Sequence, residues 1–201
     1  MKLDPFYLIV DSAGWIERLG PAGLRLVQLR IKQGTQEALR AEIRAARAAA
    51  QKHGCQLVIN DHWQLAIEED CDFVHLGQED LADADLAAIR SAGLRLGVST
   101  HDESELAAAL AVEPDYVALG PIYPTTLKRM DWQPQGLSRI GEWRQKSGET
   151  PLVAIGGLTC ERVAKVLQAG ADAAAVSTDV LGAADPLARA RAWIAATAPW
   201  R

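Results

Sequence analysis

The sequence predicts an α/β protein: a single small (β/α)8 barrel, the TIM-barrel class, spanning residues 1–201, with its site at the C-terminal ends of the strands. Three observations point there. Eight short apolar runs recur along the chain, amphipathic alanine-rich stretches alternate with them, and polar side chains gather where the runs end. The regular alternation argues for parallel strands joined by right-handed crossovers. An open doubly wound sheet is the competing arrangement, but no GxGxxG follows the first run.

The runs are FYLIVD (6–11), LRLVQLRIK (24–32), QLVIND (56–61), FVHLG (73–77), LRLGVST (94–100), YVALGP (116–121), LVAIGG (152–157) and AAAVST (173–178). Between them the clearest helix is TQEALRAEIRAARAAAQKHG (35–54), closed by Gly54. DADLAAIRSAG, DESELAAALAV, CERVAKVLQAG and ADPLARARAWIAATA repeat the pattern, whereas the segments after the first and third runs carry weaker helical signals. Five of the six tryptophans read as helix-packing residues; Trp132 falls in the loop after the sixth run.

Composition narrows the function. The hydrophobic fraction is 49% and the net charge −5, a balance that disfavours sequence-blind nucleic-acid binding. No apolar run reaches the roughly 18 residues of a membrane span, and the first residues lack the pattern of a signal peptide. Cys55, Cys71 and Cys160 are far apart and form no CxxC, which reads as three reduced thiols. A cytoplasmic protein without membrane or nucleic-acid partners is expected. The sequence leaves a homodimer open.

The chemistry collects at the run ends. In VQLRIK, Gln28, Arg30 and Lys32 alternate with Val27, Leu29 and Ile31, so an amide and two cations share one face. Asn60 and Asp61 end the third run and Gln78, Glu79 and Asp80 follow the fourth. Ser99 and His101 end the fifth, Thr125 and Lys128 follow the sixth, Gly156 and Gly157 end the seventh, and Ser177 and Thr178 end the eighth. In a barrel these ends converge on one mouth. Three cations (Arg30, Lys32, Lys128) and two carboxylates (Asp61, Asp80), with no cysteine or histidine cluster, point to a phosphorylated small molecule with Mg2+. AIGGL before a helix offers a second phosphate site. Taken singly, each residue has a plainer reading: structural ion pairs for Arg30 and Lys32, helix caps for Asp61 and Asp80, turn residues for the glycines, and a hydrogen-bonded core histidine for His75.

VQLRIK, VINDHWQLA, DFVHLGQEDL, LGVSTH, DYVALGPIYPTTLK and PLVAIGGLT, in this order, resemble the thiamine-phosphate synthase (thiamine-phosphate pyrophosphorylase) family over residues 5–195. The resemblance implies a transferase that joins hydroxymethylpyrimidine diphosphate to thiazole phosphate, releasing pyrophosphate by a dissociative, Mg2+-assisted substitution. By motif it places Gln28, Arg30 and Lys32 around the pyrimidine diphosphate, Asn60 on the diphosphate, and Asp61 and Asp80 on Mg2+. Ser99 falls near the pyrimidine and diphosphate, and Lys128 on the diphosphate. Thr125, Gly157, Ser177 and Thr178 fall at the thiazole phosphate. Arg30, Lys32, Lys128 and Ser99 are the expected catalytic residues.

Three positions depart from the family pattern. Ile31 replaces a glutamate but faces outward by alternation, Leu127 replaces a threonine, and Asp179 introduces a carboxylate beside the second phosphate site. Asp179 would repel a phosphate unless it points away or meets a cation. The last two departures raise altered thiazole handling as an expectation. They also leave a non-catalytic precursor-binding barrel as a rival. A thiazole tautomerase-like paralogue is the other rival; it calls for a histidine where this chain has Pro121 in GPIYP. LKRMDWQPQG (127–136) is the expected lid.

Overall fold

A computed structural model describes residues 2–125 and 132–201. Among these, eight parallel strands close into a barrel in sequence order. They are β1 (Phe6–Val10), β2 (Leu26–Leu29), β3 (Gln56–Asn60), β4 (Phe73–Leu76), β5 (Arg95–Thr100), β6 (Tyr116–Leu119), β7 (Leu152–Ile155) and β8 (Ala173–Val176). Closure comes from β1 pairing with β8, with Phe6 opposite Ala174 and Leu8 opposite Val176. Every expected strand forms, each shorter than its apolar run. Arg30, Lys32, Asp61, Gly156, Gly157, Ser177 and Thr178 lie beyond the strands, whereas Asn60 and Ser99 stay within β3 and β5.

The strands carry two cores. Outward-facing side chains such as Phe6, Leu8, Val27, Leu57, Val74 and Val117 pack under the helices. Inward-facing Tyr7, Ile9, Leu26, Val58, Phe73, Tyr116, Ala118, Val153, Ala173 and Ala175 fill the barrel. This is the period-two pattern of a strand buried on both faces. The filling is uneven: aromatic rings come from β1, β4 and β6, whereas β8 offers only alanines. Gly97 on β5 exists for the Tyr116 ring. A Cβ there would lie 2.1 Å from Tyr116 Cζ.

The helices are α1 (Ala13–Leu19), α2 (Gln36–His53), α3 (Trp63–Glu68), α4 (Gln78–Asp83), α5 (Leu86–Ser91), α6 (Glu103–Ala111), α7 (Gly136–Ser147), α8 (Val163–Gln168), α9 (Thr178–Leu181) and α10 (Pro186–Thr197). Their starts follow capping chemistry: Thr35, Asp85, Asp102 and Asp185 each accept a hydrogen bond from the backbone three residues on. Gly54 ends α2 at φ 65°, as its position predicts. Burying α2 against the barrel needs only Ile43, Ala46, Ala49 and Ala50, whose small side chains let the helix lie close.

Three segments differ from the sequence reading. The QED run after β4 opens a short helix, α4, whose N-cap is Gly77 and not Asp80, and GLSRIGEWRQKS forms α7, with Ile140, Trp143 and Ser147 buried on one face. The helix after the glycine pair starts at Val163, six residues beyond Gly157, so the glycine turn is not itself a helix N-terminus. Trp143 and Trp193 are fully buried, Trp193 stacking on Phe6 with ring centroids 5.4 Å apart. Trp132 is 39% exposed and stacks on His101. Among the described residues, no helix is long and apolar enough to cross a membrane.

Candidate active site

The loops beyond the strand ends surround a cavity of about 1190 Å3. That is slightly above the roughly 300–1,000 Å3 typical of small-ligand pockets. Its walls include Gln28, Arg30, Lys32, Asn60, Asp80, Ser99, Thr125, Gly157, Ser177 and Thr178. Ten of the twelve residues expected at the site therefore line one space. Asp61 joins them through its contacts with Lys32 and Asp80, and Lys128 lies outside the described residues, as do Leu127 and half of the expected lid.

One wall is charged. Lys32 Nζ lies 3.2 Å from Asp61 Oδ2. Asp61 does not cap α3, whose N-cap is His62; it sits at φ 63° with its N–H donated to the His75 carbonyl at 2.9 Å. A left-handed aspartate is uncommon, and here it turns the carboxylate toward the end of β4. Asp80, in the first turn of α4, meets it there. Burial raises the Asp80 pKa, the neighbouring Asp61 raises it further, and Lys32 only partly opposes them. Beside this pair Asn60 is 4% exposed, and its Nδ2 has no hydrogen-bond partner among the described residues. A buried amide without a partner is costly, so an acceptor from a ligand fits that position.

The floor is a hydrogen-bonded row crossing the barrel. Gln28 Nε2 donates to Tyr7 Oη at 2.9 Å, and the Tyr7 and Tyr116 hydroxyls meet at 3.0 Å. The Tyr116 hydroxyl meets His75 Nδ1 at 2.8 Å, and His75 Nε2 meets Ser99 Oγ at 2.8 Å. Burial lowers the His75 pKa to about 4, so its ring is neutral. His75 is the hydrogen-bonded core histidine the sequence indicated.

The opposite wall is the glycine turn. Gly156 and Gly157 have φ of 99° and 62°. Cβ atoms there would lie 2.6 Å from Pro121 Cα and 2.4 Å from the Pro124 carbonyl oxygen. Packing against the GPIYP backbone therefore demands glycine at both positions. Arg162 reaches back over this wall, donating to the Gly157 carbonyl at 2.6 Å and lying 4.4 Å above the Tyr123 ring. Asp179 borders the mouth, but its carboxylate is taken up by other partners. It accepts from Cys160 N, from Arg189 Nε and Nη2, and from Trp193 Nε1. Its charge meets a cation, and the expected repulsion of a phosphate does not arise from it.

Residues 6–180 match the family model described as thiamine monophosphate synthase. The chain belongs to this family. It is 65% identical over 201 residues to the thiamine-phosphate synthase of Rhizobium etli, covering 100% of this chain and 98% of that one. It is 47% identical over 192 residues to that of Salmonella dublin, covering 96% and 88%. Its structure superimposes on the thiamine phosphate pyrophosphorylase from Pyrococcus furiosus with a TM-score of 0.87 at 25% identity, covering 98% and 96% of the two chains.

Within this thiamine monophosphate synthase fold, sequence reasoning missed Tyr7, Tyr116 and Arg162 as parts of the mouth. The two tyrosines were accessible to it: in FYLIV and YVAL, alternation from Ile9 and Ala118 puts them inside. Arg162 carried no signal beyond being a basic residue after the glycine turn. Burial pushes the Cys55 and Cys71 thiols up to about 12 and about 11, which leaves them inert as nucleophiles at neutral pH.

Proposed function

We propose that this chain is a thiamine-phosphate synthase that transfers the hydroxymethylpyrimidine group from its diphosphate to the ring nitrogen of thiazole phosphate, releasing pyrophosphate. The observation that carries this reading is the meeting of Asp61 and Asp80 with Lys32 beside the unpartnered Asn60 amide, in a mouth that the glycine turn bounds on the opposite side.

The residues present fit Mg2+. Two carboxylates are held together where their mutual repulsion is only partly relieved by Lys32, and both offer hard oxygen donors. Asp61 and Asp80 would hold the ion, with diphosphate oxygens completing its shell; bound there, it supplies positive charge to the leaving group. Among the described residues no third histidine, cysteine or carboxylate joins them, which suits an ion shared with a phosphorylated substrate.

The chain's own groups do the rest. Lys32 and Arg30 face the diphosphate, and the Asn60 amide donates to it. The methylene C–O bond breaks with its electron pair leaving on pyrophosphate, and the thiazole nitrogen lone pair closes the new C–N bond. Charge grows on the leaving group during the first event, so fixed cations and donors lower its barrier most. No nucleophilic side chain or general base is needed. On the second wall, the 156–157 turn, Thr125, Ser177 and Thr178 bound the space for thiazole phosphate, with the Arg162 guanidinium at its edge.

Pyrophosphate release, followed together with thiamine phosphate formation from the two substrates and Mg2+, tests the reading. Coupled appearance of both products is expected. Binding of either substrate without turnover would favour a non-catalytic binder instead.

A further inference from the structure

The row of hydrogen bonds under the mouth has a direction. A neutral imidazole has one donor and one acceptor nitrogen, each phenol has one proton, and an amide nitrogen only donates. Gln28 Nε2 gives a proton to Tyr7 Oη, so the Tyr7 proton is free to go to Tyr116 Oη, 3.0 Å away. The Tyr116 proton then goes to His75 Nδ1. This leaves His75 protonated at Nε2, donating to Ser99 Oγ. Apart from the second Gln28 amide N–H, every donor along the row is then used, and the proton of the Ser99 hydroxyl, which lines the mouth, remains.

We propose that Tyr7, Tyr116 and His75 are positioning residues that order the Ser99 hydroxyl, by fixing the His75 tautomer, as a hydrogen-bond donor into the mouth. The opposite direction needs the Gln28 amide turned over, so that its oxygen accepts from Tyr7. It would make His75 Nδ1–H donate to a phenol and Ser99 donate inward. A phenol is a better donor to a basic ring nitrogen than an imidazole N–H is to a phenol oxygen, and a hydroxyl pointed inward cannot serve an anionic ligand. The proposed direction also leaves the Gln28 carbonyl oxygen as an acceptor. The floor thus presents an acceptor at Gln28 and a donor at Ser99. That polarity suits a ligand with an amino group near one and a diphosphate oxygen or ring nitrogen near the other. The inference deepens the proposed reading of this mouth as a pyrimidine diphosphate site and rests on it. Burial reinforces the order: Gln28, Tyr7, Tyr116 and His75 are all 7% exposed or less, so water does not scramble the protons.

Two measurements test it. Ring-nitrogen NMR of the free protein reads the His75 tautomer without any turnover. A neutral ring protonated at Nε2 is expected, with that preference lost in Tyr116→Phe. A ring protonated at Nδ1, or an imidazolium at neutral pH, would overturn the proposal even in a fully active enzyme. The second measurement is a mutant cycle. Tyr116→Phe, which removes one oxygen and keeps the ring beside Gly97, should lower kcat at least about tenfold with KM for the pyrimidine substrate little changed. In a Ser99→Ala background it should add nothing, because it acts through Ser99. Independent, additive losses would mean a general structural role and would overturn the proposal, as would an unchanged kcat. An inactive parent enzyme would count against the proposed function alone, because the tautomer would still decide this inference.

Discussion

Arg189 grips Asp179 with two nitrogens: Nε and Nη2 each lie 2.9 Å from a carboxylate oxygen. The same guanidinium holds Glu161, and Trp193 adds a third donor to Asp179 at 2.7 Å. Three elements meet here: the loop after β7, the start of α9, and α10. Removing the cation leaves a largely buried carboxylate with one indole and one backbone N–H. Arg189→Ala should destabilise the fold by about 1–3 kcal/mol in urea titrations. It should also raise KM for the thiazole substrate more than for the pyrimidine substrate. Equal effects on the two KM values would separate this clamp from the second wall.

Asp80→Asn should act in opposite directions on stability and on metal use. The folded pKa of Asp80 is raised by burial and by the neighbouring Asp61, so its ionisation costs stability as pH rises through that value. The amide removes it. Thermal melts without Mg2+ should therefore show a higher Tm at neutral pH, and the gain should vanish toward acid pH. Turnover should meanwhile require more Mg2+, because one hard oxygen ligand is lost. A lowered Tm would contradict the like-charge contact with Asp61.

His75 gives the acid limb of stability. Its pKa falls from 6.5 to about 4 on folding, so between these values the unfolded chain binds the extra proton. The contribution is present above pH 6.5 and is lost as pH falls toward 4. His75→Gln should flatten that part of the stability–pH curve. An unchanged slope between those values would show that the ring is already charged in the folded protein.

Gly97→Ala should be costly for a residue change of one methyl group. Its Cβ would lie 2.1 Å from Tyr116 Cζ, inside a closed barrel whose walls cannot give way easily. A loss of at least about 1–3 kcal/mol in chemical denaturation is expected. Restored stability in a Gly97→Ala, Tyr116→Leu pair would locate the clash.

Arg162→Ala should leave folding nearly unchanged, because the side chain is exposed, and should weaken binding of the thiazole substrate. Comparing the phosphorylated thiazole with its dephosphorylated alcohol reads the cause. The penalty should appear with the phosphate and disappear without it.

Much of this was legible from residue order. Period-two alternation in VQLRIK placed Gln28, Arg30 and Lys32 on one face, and the bias of polar residues to strand ends placed Asn60, Asp80 and Ser99 at one mouth. Thr35, Asp102 and Gly54 announced their helix ends through local chemistry alone. Long-range partnerships were not legible. Nothing in the spacing of Asp179 and Arg189 says that one neutralises the other, and Asp61 reaches Asp80 only through a left-handed turn that the sequence does not encode visibly. The tyrosine row needs three strands in register before Tyr7, Tyr116 and His75 meet.

The barrel's uneven filling sets a contour. Aromatic rings from β1, β4 and β6 crowd one part of the interior, while β8 brings only methyl groups to it, and the cavity reaches down to Ala118, Val153 and Ala175. On adjoining strands the Tyr7 ring of β1 stands opposite the Ala175 methyl of β8, so bulk and space alternate around the floor. Of the two inward β8 alanines only Ala175 borders the cavity, so a larger side chain there would narrow the floor while Arg30, Lys32 and Asp80 keep their places at the rim. The floor can thus be reshaped from a strand that carries none of the mouth's cations.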